Sequence, residues 1–290
     1  MELTHLILVL QALPGVGDKT LTRALAQVAR ERMDVDKLLS RDAHSLAAHL
    51  DLPKESGDYL VGHRERLLTE AAEDARWLRR CGASILTQAD AAYPSRLVET
   101  LEEPPAALFA YGQIGLLQRQ TFAVACSNKS SDESLTAVER AVDEKLESGK
   151  ILITGHNRVE YQRPALVAKR VGAPVCYVLD RGLLEAFGGD LSRELFPAAR
   201  IWSPAYDPAL DLTISPFALR KPYVPSANQR RDEIVFALAD EVIAGSIRAG
   251  GRMEKECVSA LSRGVSVSLV HPAAVTELLV ERGAKLETTG

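Results

Sequence analysis

Apolar residues recur at helical spacing through the first eighty positions and then give way to short continuous runs. Leu6 to Leu10 make one apolar run, and Leu21, Leu25 and Val28 share a helix face after it. Leu38-Leu39, Leu46, Leu50, Leu60, Leu67-Leu68 and Trp77-Leu78 continue the pattern, punctuated by Pro53 and Gly57. Residues 1–80 therefore read as almost all helix. Past Ala89 the periodicity stops. The stretch from Tyr93 to Gly112, with Pro94, Pro104 and Pro105, reads as an irregular, mostly extended connector.

From Thr121 strand-length runs alternate with helical segments, the pattern of a parallel sheet with crossover helices. Expected strands are Phe122–Cys126, Ile151–Thr154, Pro174–Leu179, Arg200–Ser203, Glu241–Ala244 and Val265–Val270. Ser130 to Glu133 form a capping-box pattern before a helix faced by Leu135, Val138, Val142 and Leu146, with Gly149 as its stop. Further helices are expected over Asp232–Ala239, Arg252–Ser262, and from His271-Pro272 to about Gly283. The proline-rich passage from Pro204 to Pro225 is too long for a simple connection and is a candidate functional loop. The expected division is a helical domain over 1–80, a connector packing on the core over 81–118, and an α/β domain over 119–290.

The chain has 290 residues, 46% hydrophobic and 26% charged, which is ordinary for a globular protein. Its net charge of −4 excludes a global basic field, so any nucleic-acid site must be local. Residues 1–80 are near neutral, with 12 Lys/Arg against 13 Asp/Glu. Cys81, Cys126, Cys176 and Cys257 lie too far apart for a CxxC metal pattern, and the six histidines show no HxxxH spacing. Neither zinc nor a disulfide framework is expected, consistent with a reducing cytoplasm. No apolar run approaches membrane-spanning length and no signal segment is legible, so a cytoplasmic protein is expected.

Candidate chemistry lies at one turn and four loops. Gly15-Val16-Gly17 opens the helix that begins near Lys19, and such a turn offers free amides and a positive dipole end to a phosphate, as in a helix-hairpin-helix. A tight turn between two packed helices explains the same residues. Ser127-Asn128-Lys129-Ser130-Ser131 is rich in donors, although a serine helix cap is the plain alternative; it lacks both the dinucleotide fingerprint and the phosphate-loop pattern. In Gly155-His156-Asn157-Arg158 the guanidinium suits a phosphate better than the lone histidine suits catalysis. Between Arg200 and Arg231 five Lys/Arg face two Asp/Glu, with Arg220-Lys221 and Arg230-Arg231 interleaved with Phe217 and Tyr223. Basic groups beside stackable rings describe a single-strand site, with a solvated face as the alternative. Gly250-Gly251, flanked by Arg248 and Arg252, is either a phosphate-accepting turn or a plain strand-to-helix turn.

The layout resembles the DprA/Smf DNA-processing family over nearly the whole chain. Asp90, Tyr93-Pro94, Leu97, Pro104-Pro105, Leu108-Phe109 and Gly112 are similar to the family's D..YP..L…DPP..LF..G segment. Phe122 to Ser131 resemble VAIVGSRxxS, keeping Ser127 and Ser131 but with Cys126 for the glycine and Asn128 for the arginine. The segment from Thr154 resembles SGxARGID, keeping Gly155 and Arg158, with Val159, Tyr161 and Ala165 replacing glycine, aspartate and histidine. Arg231 to Asp240 resemble RNRIIAGLSD, with Asp232 and Glu233 for the asparagine and second arginine.

The resemblance implies an α/β fold: a Rossmann-like, mostly parallel sheet with flanking helices, preceded by a small all-α helix-hairpin-helix or SAM-like domain. It implies a non-catalytic homodimer without cofactor that binds single-stranded DNA and hands it to a RecA-type recombinase during natural transformation. In this chain Arg158, Lys221, Arg230 and Arg231 would contact phosphates. Ser127, Lys129 and Ser131 would form an anion pocket, Asn128, Gly155, Arg248, Gly250, Gly251 and Arg252 are further candidates for DNA or phosphate binding, and Gly15, Gly17 and Lys19 would add a weaker contact. The family's winged-helix domain is not expected, because the chain ends too early for one. Two other functions fit the same residues. One is a module that senses a nucleotide or other ligand and has lost DNA binding. The other is an enzyme similar to the nucleotide phosphoribohydrolases, whose GGxGTxxE loop Gly250-Gly251 and Glu254 partly match without its Gly-Thr.

Overall fold

The computed structural model describes residues 3–188 and 206–287. Five helices come first: α1 (Leu3–Gln11), α2 (Asp18–Arg30), α3 (Val35–Ser40), α4 (Ala43–His49) and the long α5 (Lys54–Cys81). Local chemistry sets their ends. The Asp34 carboxylate accepts from the Asp36 and Lys37 N–H groups and starts α3; Asp42 accepts from Ser45 N and starts α4. Gly82, at φ +70°, stops α5 in the left-handed conformation that glycine adopts without strain.

Nine strands then build one sheet: β1 (Ser84–Thr87), β2 (Ala107–Gly112), β3 (Thr121–Ala125), β4 (Ile151–Thr154), β5 (Val175–Val178), β6 (Leu212–Ser215), β7 (Glu241–Ala244), β8 (Ser266–Leu269) and β9 (Lys285–Leu286). They are connected by α6 (Ser95–Thr100), α7 (Asp132–Glu147), α8 (Val159–Arg170), α9 (Leu183–Phe187), α10 (Ala227–Leu238), α11 (Arg252–Ser262) and α12 (Glu277–Glu281). The spatial order is β1-β2-β6-β5-β4-β3-β7-β8-β9. Strands β3 to β9 pair in parallel, and β1 and β2 extend the sheet antiparallel through β6. From β3 the chain winds outward through β4, β5 and β6, then returns to the other side of β3 with β7. The gap between β3 and β7 is thus the point where strand order reverses. This is the expected Rossmann-like, mostly parallel sheet with flanking helices.

Strand alternation sorts the apolar side chains into two cores. Phe122 and Val124 of β3 join Phe109, Leu152, α7, α8 and the five leading helices on one face. Ala123 and Ala125 join Ile153, Cys176, Ile214 and helices α10 to α12 on the other. The helical region therefore shares a continuous core with one face of the sheet.

Four elements differ from the sequence expectation. The connector is built into the sheet: it supplies β1, α6 and β2. The middle of the Pro204–Pro225 passage is β6, a strand buried between β5 and β2. A strand covered on both faces has no alternation to betray it, and the polar Thr213 and Ser215 mask it further. Helix α10 starts at Ala227, five residues before the expected Asp232, and the last helix is split into a 3-10 turn (Pro272–Ala274) and α12. The strand expected at Arg200–Ser203 lies outside the described residues.

The start of α2, after the α1–α2 turn, is tied to distant parts of the chain. Asp18 accepts a hydrogen bond from Ala106 N (2.9 Å) and pairs with Arg230 of α10 (3.0 Å). Lys19 pairs with Glu103 (2.5 Å), and Arg220 grips Asp74 of α5 through two guanidinium nitrogens (2.5–3.0 Å). Burial, the largest influence on Asp18, holds its carboxyl above the usual range despite Arg230. Asp18→Ala would leave the Ala106 N–H and the Arg230 guanidinium short of a partner. It is expected to cost about 1–3 kcal/mol in urea unfolding; an unchanged midpoint would show that the clamp contributes nothing.

Candidate nucleic-acid interface

The carboxyl ends of β3, β4 and β7 open onto one cleft of about 260 Å³. In open α/β sheets a crevice beside the strand-order reversal is where ligands bind, because adjacent loops diverge there and helix N-termini face it. The loops after β3 and β7 are stitched together: Ser127 N donates to Ser246 O (2.7 Å), and Arg248 N donates to Ser127 Oγ (2.9 Å). Cys126, Ser127 and Asn128 line one wall, Arg248, Gly251, Arg252 and Met253 another, and Asn228, Gln229 and Asp232 of α10 a third. Arg158 enters from the loop after β4. Burial pushes the Cys126 thiol up to about 11, so this lining sulfur stays protonated at neutral pH.

Arg231, expected on a phosphate, is instead fully buried below the cleft. Its guanidinium donates to Asp232 Oδ1 (2.8 and 3.0 Å), Asn157 Oδ1 (2.7 Å) and Asn228 Oδ1 (2.9 Å), and lies 3.6 Å from Asp180 Oδ2. It also stacks over the Tyr161 ring, 4.6 Å from the centroid. Burial and the Asp232 charge raise the Tyr161 phenol well above its ordinary range, so it remains a donor to Asp232 Oδ1 (2.8 Å). A legible signal existed. Ala227, Arg231, Ile234, Val235 and Leu238 fall on one stripe of α10, which places Arg231 on the apolar face and Arg230 one step off it.

Gly155 has the same explanation. It is buried, and a Cβ on it would stand 3.0 Å from Tyr161 and 3.1 Å from Arg231. Its missing side chain makes room for the arginine, not for a phosphate.

Most of the other expected contacts are engaged within the protein or lie away from the cleft. Arg230 pairs with Asp18 and donates to Glu103 O (2.6 Å); Lys19 is held by Glu103. Gly15, at φ +73°, lies under the Glu55 carboxylate, so the hairpin turn faces an anion of its own; Gly17 caps α2 with open space beside it. Lys221 lies in a separate cleft against α1 and α5. Ser131 caps α7 through Ser134 N. Gly250 N donates to Glu254 Oε2 (2.7 Å), so a carboxylate occupies the turn proposed for phosphate. Arg252 pairs with Glu256 (2.7 Å) and Glu233 (3.3 Å).

Two guanidiniums of the cleft remain available. Arg158 donates to Asn128 Oδ1 (2.6 Å), and neither it nor Arg248 meets a carboxylate among the described residues. Lys129 beside them is exposed. Sequence reasoning missed Asn157, Glu160, Asp180, Asn228, Gln229 and Asp232. Of these, Asp180 had a signal, since it directly follows the apolar run of β5.

Among the described residues no group of three or more His, Cys, Asp or Glu could hold a metal ion. No helix there is long and apolar enough to cross a membrane.

Residues 84–158 match the family model described as DNA recombination-mediator protein A. A comparison with curated proteins gives no sequence match. In fold, the chain is similar to DNA processing protein A (DprA) from Streptococcus pneumoniae, with a TM-score of 0.68 at 19% identity over 100% of this chain and 96% of that one. It is also similar to DNA processing protein A from Helicobacter pylori, a structure that describes a single-stranded DNA binding mode. There the TM-score is 0.54 at 15% identity over 70% of this chain and 90% of that one. The sequence pattern of DNA recombination-mediator protein A thus matches from β1 to the loop after β4, and the fold is similar to that of DprA along the whole chain.

Proposed function

We propose that this protein binds single-stranded DNA without chemistry, gripping the phosphate backbone at the cleft beyond β3, β4 and β7. In this reading it acts as a homodimer in DNA processing during transformation and passes the strand to a RecA-type recombinase. The observation that carries the DNA reading is the pair Arg158 and Arg248. They are two cleft-lining guanidiniums without a carboxylate partner among the described residues, at the place in the sheet where ligands bind. Lys129 adds a third cation at the rim. Tyr223, 40% exposed and tied to cleft residue Asn228 through its hydroxyl (2.7 Å), offers a ring on which a base can stack.

Fluorescence anisotropy with a labelled oligothymidylate across a salt series tests this. Arg158→Ala and Arg248→Ala are each expected to weaken binding by about 10-fold at low salt and to flatten the salt dependence by about 0.7 per lost contact. Lys221→Ala, remote from the cleft, is expected to change little. Equal binding by the double arginine variant and the parent would sink the proposal.

The size of the cleft favours one competing function, a module that senses a nucleotide. Its volume is close to the lower limit of small-ligand pockets, about 300 Å³. Absence of oligothymidylate binding at low salt, together with thermal stabilisation by a mononucleotide, would select it.

A further inference from the structure

The loop between β3 and α7 makes an unusual turn at Lys129, whose φ of +64° lies in the left-handed region that side-chain-bearing residues rarely adopt. The turn aims two successive main-chain donors at one acceptor. Lys129 N and Ser130 N both donate to Glu160 Oε1, at 2.8 and 3.4 Å. Successive N–H groups around such a turn form a concavity suited to an anion. Here the anion comes from the chain itself, thirty residues away in sequence.

Glu160 is an odd occupant. It sits in the first turn of α8, where an acidic side chain is ordinarily solvated and interacts only with the helix dipole. Instead it is 7% exposed, and among the described residues it forms no ion pair. A buried carboxylate without a cation is costly unless hydrogen bonds replace its water. The two amides do so. Two residues before Glu160, at the N-cap of α8, is Arg158, one of the available cleft guanidiniums, and it donates to Asn128 Oδ1 (2.6 Å), so a cation is tied to the residue next to the two amides.

We propose that Glu160 is a tethered competitor: its carboxylate occupies the phosphate position formed by the Lys129 and Ser130 amides, and DNA reaches those amides only when Glu160 swings out. This regulates the same site and rests on the DNA-binding reading for the identity of the incoming phosphate. The tethered charge both fills the cradle and repels the backbone approaching Arg158. Glu254, which accepts from Gly250 N across the cleft, closes a second donor in the same manner.

The test uses the full chain as wild type, Glu160→Ala and Glu160→Gln. Alanine empties the cradle; glutamine leaves an acceptor for the amides but removes the charge. Two readouts separate the cradle from its ligand. Titration with inorganic pyrophosphate is followed at the backbone amide resonances of Lys129 and Ser130. Anisotropy with labelled oligothymidylate is measured across salt.

Saturable movement of both resonances is expected in Glu160→Ala, weaker movement in Glu160→Gln, and none in wild type. Oligothymidylate should bind Glu160→Ala about 10-fold more tightly than wild type, with a steeper salt dependence by about 0.7 for one added phosphate contact. Silent resonances in both folded variants would overturn the inference. Responding resonances without oligothymidylate binding by any form would uphold the cradle and sink the DNA reading instead. Should Glu160→Ala not fold, the Glu160→Gln resonances decide: movement supports the inference and silence overturns it.

Discussion

Arg231→Met is expected to lower stability by about 3–5 kcal/mol, the range for breaking a buried ion pair from one side. Methionine approximates the length of arginine but carries no charge. Among the described residues Asp232 would then keep the Tyr161 hydroxyl alone, and Asp180 would rely on Arg181 (3.0 Å) and Asn157 (2.5 Å). Both carboxylates are almost wholly buried, so water is a poor replacement for the lost guanidinium. Against a total of about 5–15 kcal/mol for a typical domain, the loss is large. Urea unfolding measures it. Adding Asp232→Asn to Arg231→Met removes one stranded charge and should recover part of the loss, a coupling visible in a double-mutant cycle. If Arg231 instead held a phosphate directly, Arg231→Met would leave the unfolding midpoint in place and weaken only oligothymidylate binding.

Acid is expected to destabilise the protein through His156, by roughly 3 kcal/mol at most. Burial pulls this imidazole down from 6.5 to about 4; the Asp180 carboxylate (3.8 Å) opposes the shift, while Arg231 and Arg181 reinforce it. The sign follows from proton counts. Between about 6.5 and about 4 the unfolded chain binds a proton at this site and the folded chain does not, so stability falls as pH drops through that window. Below about 4 both states are protonated and the histidine adds nothing further. His156→Gln removes the titrating group and should flatten this part of the profile, read as urea midpoints at pH 7, 5.5 and 4. A variant that keeps the full wild-type slope would assign the acid sensitivity to carboxylates elsewhere.

These two effects share one buried cluster beneath the cleft, and it explains why the cations divide as they do. Arg231 is structural and holds the floor through Asn157, Asn228 and Asp232. Arg230, its neighbour in sequence, points to the opposite side and ties α10 to α2 through Asp18. Arg158 and Arg248 line the cleft and meet no carboxylate among the described residues. One-residue steps on a helix turn a side chain by about 100°, enough to send adjacent arginines into unrelated environments.

Much of the α/β region is legible in sequence. The Ile151–Thr154 and Glu241–Ala244 strands and the Arg252–Ser262 helix are read to the residue, and Ser131 is recognisable as a helix cap. Those signals are local: apolar runs of strand length, a stripe every three or four residues, a hydroxyl ahead of a helix. The family pattern from Asp90 to Gly112 is legible too, although its place in the sheet is not, because β1 and β2 acquire strand character only by pairing with each other and with β6. β6 itself depends wholly on neighbours, since four residues covered on both faces carry no alternation.

The charge map is the part that only tertiary structure decided. Sequence places Lys19, Arg158, Arg230, Arg231, Arg248 and Arg252 near expected loop and helix starts and cannot say which are neutralised. The partners of Lys19 and Arg230 come from other elements: Glu103 for Lys19, Asp18 for Arg230, more than two hundred residues away. Likewise Glu160 accepts hydrogen bonds from two amides about thirty residues upstream. Local periodicity reports which face a residue takes on its own element, whereas an ion pair depends on what the fold brings opposite that face. The sequence alone therefore determined the alternation of elements, the kind of sheet they form and the family resemblance; the packing of distant carboxylates against that sheet decided which of its cations are paired and which are not.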